Sequence, residues 1–298
     1  MMAVTEFIPR KYIGQAGLTI KRMRSRMRFL DSCLSEECDD CMSSWKRKIA
    51  RLAEKLSGTV ITHPAEIHQL PERVLLRRFF ADFEVDCVFD VGANKGQYAR
   101  QLRDDIGFQG HIVSFEPIPY VYVDLAKRAS TDPKWHVARQ ALDREAGPAI
   151  FNVMASDVFS SLHRPAEDQP SRFSQTNTIS TSIEVTRATL ATEYVRWRDE
   201  LGFKRPFLKM DTQGNDLAVF EGAGDMIAHF VGLQSELSYR PLYAGIPGFA
   251  ETLQAYEARG FRLTGLVPSN AGHFPDLHEI DCIMYRTDAA LRLAGPSA

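Results

Sequence analysis

No run of apolar residues in this chain approaches the roughly 20 needed to cross a bilayer as a helix, and its first residues hold no apolar core of the kind a secretory signal carries. A cytoplasmic protein is expected. Strong charge of one sign is also missing: 36 Lys and Arg stand against 38 Asp and Glu, a net charge of -2. That balance lacks the basic field of a nucleic-acid binder and leaves small-molecule or glycan partners. Cysteine is scarce and odd in number, five in 298 residues, so no disulfide framework is expected. Cys33, Cys38 and Cys41 resemble a metal loop in their C-x4-C-x2-C spacing, yet a fourth local ligand is absent and no metal site is expected. What remains is ordinary: 44% hydrophobic and 25% charged residues, enough for a sizeable buried core.

The chain opens on a basic stretch, Lys21, Arg22, Arg24, Arg26 and Arg28, followed by Glu36, Glu37, Asp39 and Asp40. Such blocks are solvated arms, and the basic one can also touch an anionic membrane surface or polymer. Trp45, Ile49, Leu52, Ala53 and Leu56 recur at helical spacing before Gly58, and a second helix starts near Pro71 and carries Val74, Leu75, Phe79 and Phe80 toward a core. An N-terminal arm with a helical appendage over 1–70 and a second domain over 71–298 are expected. From Asp86 the pattern changes to short apolar runs alternating with helical ones, the signature of βα units around a parallel sheet. Strands are predicted at 85–91, 112–115, 136–141, 207–210, 231–236, 262–266 and 281–285, with helices at 96–105, 121–129, 214–223 and 248–258. The fold class is α/β: a Rossmann-like, seven-stranded, mostly parallel sheet flanked by helices. Two further β-like runs, 149–154 and 182–186, pair outside that series. The polar stretch from Ser156 to Thr181 between them reads as a substrate-side lid.

The run Val88-Phe89-Asp90-Val91-Gly92-Ala93-Asn94-Lys95-Gly96 is a buried strand, a glycine turn and a helix start. In an open α/β sheet, ligands meet the carboxyl ends of the strands at such a turn. Gly92 and Ala93 let the backbone approach a ligand, Gly96 permits close helix packing or an unusual dihedral, and Asp90 is placed to accept hydrogen bonds from turn amides or the ligand. The next strand ends in Phe115-Glu116-Pro117, about 20 residues downstream, the separation that sets an acid opposite a ribose. Glu116 is the ribose acceptor, with Pro117 pinning the turn. A dinucleotide site wants a second glycine where Asn94 stands, because helix amides must close on a pyrophosphate. S-adenosylmethionine has no phosphate, and Asn94, Lys95 and Gln97 offer polar contacts to its amino-acid end.

Together with Leu208-Lys209-Met210-Asp211-Thr212-Gln213-Gly214-Asn215-Asp216, these motifs resemble the FkbM family of methyltransferases over roughly 85–286. The resemblance implies a class I Rossmann-like enzyme that uses S-adenosyl-L-methionine, and a hydroxyl of a sugar, glycolipid or other secondary metabolite as acceptor. Thr189-Leu190 is followed by Ala191 where such proteins often carry Leu-Asp, and the N-terminal arm lies outside the likeness.

Methyl transfer to a hydroxyl needs in-line approach and removal of a proton. Asp211, ending a central strand, is the candidate base, Glu236 its partner or rival, and His163 in the lid a third. Asp211 reads equally as an N-cap of the helix near Gly214, Glu236 as a partner of Arg240, and the two acids together as ligands of a divalent cation. His273, Tyr239, Tyr243 and Trp197 are weaker candidates for the acceptor side. A non-catalytic nucleoside-binding or assembly protein is one alternative, and a nicotinamide-dependent oxidoreductase, disfavoured by Asn94, is another.

Overall fold

The computed structural model describes residues 69–268 and 276–289. The arm, the helix around Trp45, the cysteines at 33, 38 and 41, and His273 lie outside them.

Helix α1 (Leu70–Asp82) starts with Pro71 in its first turn and buries Leu76, Phe79 and Phe80. Val74, expected in the core, is on its exposed side. Strand β1 (Cys87–Val91), fully buried, leads through the glycine turn into α2 (Gln97–Gln101). The helix predicted at 96–105 continues from there as a π-helical turn over Leu102–Ile106. Strand β2 (His111–Phe115), α3 (Pro119–Ala129) and β3 (Trp135–Ala138) complete the first half. The second half comprises β7 (Pro206–Met210), α5 (Asp216–Glu221), β8 (Gly232–Ser238), α6 (Phe249–Ala258), β9 (Phe261–Pro268) and β10 (Glu279–Arg286).

The seven strands lie in the order β3-β2-β1-β7-β8-β10-β9. All neighbours as far as β8 are parallel, and β10 runs antiparallel to both β8 and β9. The order reverses between β1 and β7, the switch point at which an open α/β sheet leaves a crevice for ligands.

Alternation along the strands sorts the core into two layers. Val88, Ile112, Phe207 and Ile283 face α1, α2 and α3 with Leu76, Phe79, Leu102 and Leu125. Cys87, Phe89, Val91, Leu208, Met210 and Leu233 face the other way, onto Tyr194, Trp197, Val219 and Tyr256. Tyr194 and Trp197 belong to α4 (Leu190–Leu201), a helix the sequence reading did not place. Its N-cap is Thr189, whose hydroxyl accepts the Thr192 amide at 3.2 Å. Glu193 interrupts its apolar stripe but is buried, accepting the Trp197 indole at 3.0 Å. Trp197 is therefore a core residue.

The two extra β-like runs form their own sheet: β4 (Ala141–Leu142), β6 (Ile179–Ala188) and β5 (Gly147–Met154), in the order β4-β6-β5. β5 and β6 are antiparallel, so the intervening residues 155–178 leave and return at one point. Phe173 of that segment packs with Met154, Leu242 and Tyr243 in a separate apolar cluster.

On β2 and β3, the rings of His111 and His136 stack with nitrogens 3.2 Å apart. Burial lowers both from the ordinary histidine value; the neighbouring ring, Lys134 and Arg103 add to this at His111, while Glu200 and Asp132 oppose it at His136. The unfolded chain takes up protons near pH 6.5 that the folded pair resists, so this pair costs stability as pH falls below that value. His136→Gln should reduce that loss: the urea midpoint of the variant relative to wild type should rise between pH of about 7.5 and about 5.5.

Candidate functional site

The glycine turn is closed by its own backbone. The amides of Gly92 and Ala93 both donate to the Phe115 carbonyl, at 3.2 and 3.0 Å, which ties the end of β1 to the end of β2. Gly92 has φ +82°, and a methyl group on it would lie 1.9 Å from the Asp211 carbonyl oxygen. The space Gly92 leaves is thus taken by the end of β7, where a ligand was expected. Gly96, also at φ +82°, lies against the Trp135 ring, so both reasons expected for a glycine there apply. Asn94 has φ +46° and turns its side chain back over the loop, where its Oδ1 accepts from the Lys95 amide at 2.8 Å and from Gln97 Nε2 at 3.2 Å. Lys95 reaches the opposite way, to Asp157 of the lid, 2.7 Å.

Glu116 sits at the end of β2 with 4% of its surface exposed. One carboxylate oxygen accepts the Asn94 amide at 3.0 Å and the other the Ile118 amide at 2.8 Å. Burial pushes its pKa up to about 7 against the pull of those two amides. Pro117 follows it, and the proline in the first turn of α3 is Pro119. Asp90 turns onto the face covered by α1–α3 and accepts the Ser114 hydroxyl at 2.8 Å, rather than the turn amides expected. Ser114 in turn accepts the Trp135 indole at 3.0 Å. Burial raises Asp90 to about 6, with Lys209 and Ser114 opposing.

That face changes character along its length. Below, it is Val88, Ile112, Phe207 and Ile283; toward the carboxyl ends of the parallel strands it becomes Asp90, Ser114, Lys209, Gln234 and Asp281. Lys209, 5% exposed, is the cation at the centre of this belt. Its ammonium lies 3.2 Å from Asp211 Oδ2, donates to the Met210 carbonyl and stands 5.4 Å from the Tyr98 ring. Burial alone would lower its pKa; Asp211, Asp281, Asp216 and Glu236 together outweigh it and the lysine stays charged. A lysine inside a strand of otherwise apolar residues was the signal available in the sequence for this group, as were alternating acids at Glu279 and Asp281.

After β7 the chain turns sharply, with Gln213 at φ +53° and Gly214 at φ +96°. Asp211 does not cap the following helix. Its Oδ1 accepts from Gln213 Nε2 at 2.9 Å, Oδ2 faces Lys209, and its side chain is 42% exposed. The residue that ties the turn is Asp216. Its Oδ1 accepts the Thr212 amide and hydroxyl, at 2.8 and 2.5 Å, and its Oδ2 the Ser235 hydroxyl and Glu236 amide, at 2.8 and 3.1 Å. Glu236 does not pair with Arg240, which faces Asp276 at 3.5 Å. It meets Asp211 through Gln213, whose Nε2 also reaches Glu236 Oε2 at 3.0 Å. Burial, then Glu279, Asp211 and Asp281, hold Glu236 well above the usual carboxylate range despite Lys209. His163 lies beside the same turn, its Nε2 3.2 Å from Asn215 Oδ1. Tyr243 is buried with its hydroxyl 2.7 Å from Gln213 Oε1, and Tyr239 is exposed. Among the described residues no three His, Cys, Asp or Glu side chains are placed to share a metal ion.

The sequence profile of the methyltransferase FkbM domain matches residues 90–263. This chain belongs to that family. It is a methyltransferase of the class I Rossmann-like fold, and S-adenosyl-L-methionine is its methyl donor. No curated protein matches its sequence. Solved structures similar to this family member include the magnesium protoporphyrin IX methyltransferase of Synechocystis PCC 6803 with bound S-adenosylmethionine, at 9% identity and TM-score 0.41 over 74% of this chain and 79% of that one. Another is fibrillarin of Aeropyrum pernix with natively bound S-adenosylmethionine, at 12% identity and TM-score 0.38 over 67% and 66%. A third is the N-methyltransferase NodS of Bradyrhizobium japonicum WM9, at 10% and 0.39 over 74% and 96%.

Glu279, behind the pair of acids, is raised to about 8 by burial first and then by Asp211, Asp281 and Asp216. For an acid raised in the fold, the cost of burying its charge is absent below the unfolded value, grows as pH rises from that value to the folded one, and is constant above it. Glu279→Gln should therefore raise the thermal midpoint most above pH of about 8, with the gain shrinking as pH falls and little change left below pH of about 4.5, checked by calorimetry across that range.

Proposed function

We propose that this methyltransferase methylates oxygen: it moves the methyl group of S-adenosylmethionine to a hydroxyl of a sugar, glycolipid or other secondary metabolite. The observation that supports this reading is a half-exposed carboxylate, Asp211, clamped on one oxygen by Gln213 and on the other by Lys209 at the sheet's switch point. When bound, the donor supplies an electrophilic methyl group on a sulfonium. Glu116 accepts the ribose hydroxyls, since each of its oxygens keeps a lone pair beyond the amide it already holds. Asn94 caps the Lys95 amide, removing a donor that a diphosphate would need, which suits an adenosyl ligand without phosphate and disfavours a nicotinamide dinucleotide. Asp90, Gly92, Ala93, Gly96, Gln97 and Pro117 shape the turn around it.

Asp211 takes the proton of the acceptor hydroxyl as the oxygen–carbon bond forms and the carbon–sulfur bond breaks. Lys209 sets a positive charge 3.2 Å from Asp211, whereas Glu236, held protonated by its surroundings, orients the acceptor as a donor. His163, on the lid side of the same turn, closes over the acceptor. No described helix is long and apolar enough to cross a membrane.

Calorimetric titration with S-adenosylmethionine and S-adenosylhomocysteine tests the first half. Wild type should bind both, and Glu116→Ala should weaken binding by about tenfold or more, as loss of a charge-assisted contact requires. Asp211→Asn should bind them as wild type does, yet lose about a hundredfold or more of the transfer in a mass-spectrometric screen of glycosides for a one-methyl gain. Transfer at the wild-type rate by Asp211→Asn would remove Asp211 from the proton's path.

A further inference from the structure

Gln213 is in a conformation that few non-glycine residues adopt, φ +53°, and its backbone carbonyl and both side-chain polar atoms are engaged. Its Nε2 donates to Asp211 Oδ1 and Glu236 Oε2, at 2.9 and 3.0 Å. Its backbone carbonyl accepts the Ser161 hydroxyl of the lid at 2.7 Å. Its Oε1 lies 2.7 Å from the Tyr243 hydroxyl, and that hydroxyl is also 2.8 Å from the Phe159 carbonyl, again in the lid. A phenol has one proton, so the lid and the Gln213 amide compete for it. Tyr243 itself is gripped by the lid: Ala166 donates to the Leu242 carbonyl at 2.9 Å, Ala244 to the Arg164 carbonyl at 2.8 Å, and Asn177 Nδ2 to Leu242 at 3.3 Å.

We propose that Gln213 is a positioning residue that, through Tyr243, couples the lid at 155–178 to the Asp211–Glu236 pair. The Tyr243 proton fixes which end of the amide is the acceptor, and so aims the two N–H groups at the carboxylates. An amide left free to turn would present an oxygen to two acids instead. Withdrawal of Phe159 gives the proton wholly to Gln213, and loss of the Gln213 amide gives it wholly to the Phe159 carbonyl. The catalytic meaning of this coupling rests on the reading of Asp211 as the base; the coupling itself does not.

The test uses the full chain without donor or acceptor, so its outcome is independent of whether methyl transfer to oxygen is found. Carboxyl-carbon NMR titrations would follow Asp211 and Glu236, which are faced by Lys209 from β7, by Glu279 and Asp281 from β10, and by Gln213. Hydrogen exchange would follow the amides of Phe159, Ser161 and His163, each bonded within or beside the lid. In Tyr243→Phe, which removes one oxygen atom, the pair should titrate higher by about half a pH unit because the N–H donors to the charged forms are no longer held. In Gln213→Leu the Tyr243 proton passes wholly to the Phe159 carbonyl, so the lid amides should exchange about threefold more slowly although no lid residue is changed. Tyr239→Phe, at an exposed ring, should match wild type in both. Unchanged titration in Tyr243→Phe, or lid exchange at or above the wild-type rate in Gln213→Leu, would overturn the proposal. A purely structural role of Tyr243 would loosen the lid without moving the carboxyl titration.

Discussion

The carboxylate of Asp216 receives four hydrogen bonds in the interior, two from Thr212 and two from the backbone and side chain at Ser235 and Glu236. They join the turn after β7 to the end of β8. Burial raises its pKa and the Thr212 donors oppose that, so the bonds it accepts are what make a charge tolerable there. Because it holds Thr212, the chain must leave β7 in a tight turn, and Gln213 enters its left-handed conformation. Because it holds the Glu236 amide, β8 is fixed against that turn at the residue that matters. Asp211, Gln213 and Glu236 meet as a consequence.

The second constraint is electrostatic. A sheet face that starts as valine, isoleucine and phenylalanine ends as a belt of acids around one lysine. Asp90, Asp281 and Glu279 are raised to about 6, about 7 and about 8 by burial, and Lys209 is the charge that limits the rise at Asp90 and Asp281. Asp211, whose side chain is 42% exposed, gives the belt an open side where its negative charge meets solvent.

Much of this could be read from residue order because the chemistry sits at strand ends, where local pattern and fold agree. Asp90 to Gly96, Phe115 to Pro117 and Leu208 to Asp216 each combine an apolar run with a turn, and each lies where it was expected. What escaped reading depends on contacts across the sheet. Asp211 could also be read as a helix cap, and only the position of Asp216 five residues on decides which acid ties the turn. Glu236 finds its partner in Gln213, 23 residues away, instead of in the nearby Arg240. Helix α4 was hidden by Glu193, a charge in an apolar stripe that is satisfied by Trp197 one turn later. Gly92 was correctly seen as a close approach, but the neighbour it admits is the backbone of β7.

Because β5 and β6 pair antiparallel beside the main sheet, the lid begins and ends at almost the same place. Loop-closure entropy grows only slowly with length, so such an insertion can be exchanged for a longer or shorter one without disturbing the register of the seven strands. The insertion is in that sense a cassette. Its replaceable sequence is bounded by its fittings, among them the bonds to Gln213, Tyr243, Leu242, Asn215 and Lys95, and a new cassette that kept those would leave the turn after β7 held while presenting a different outer surface.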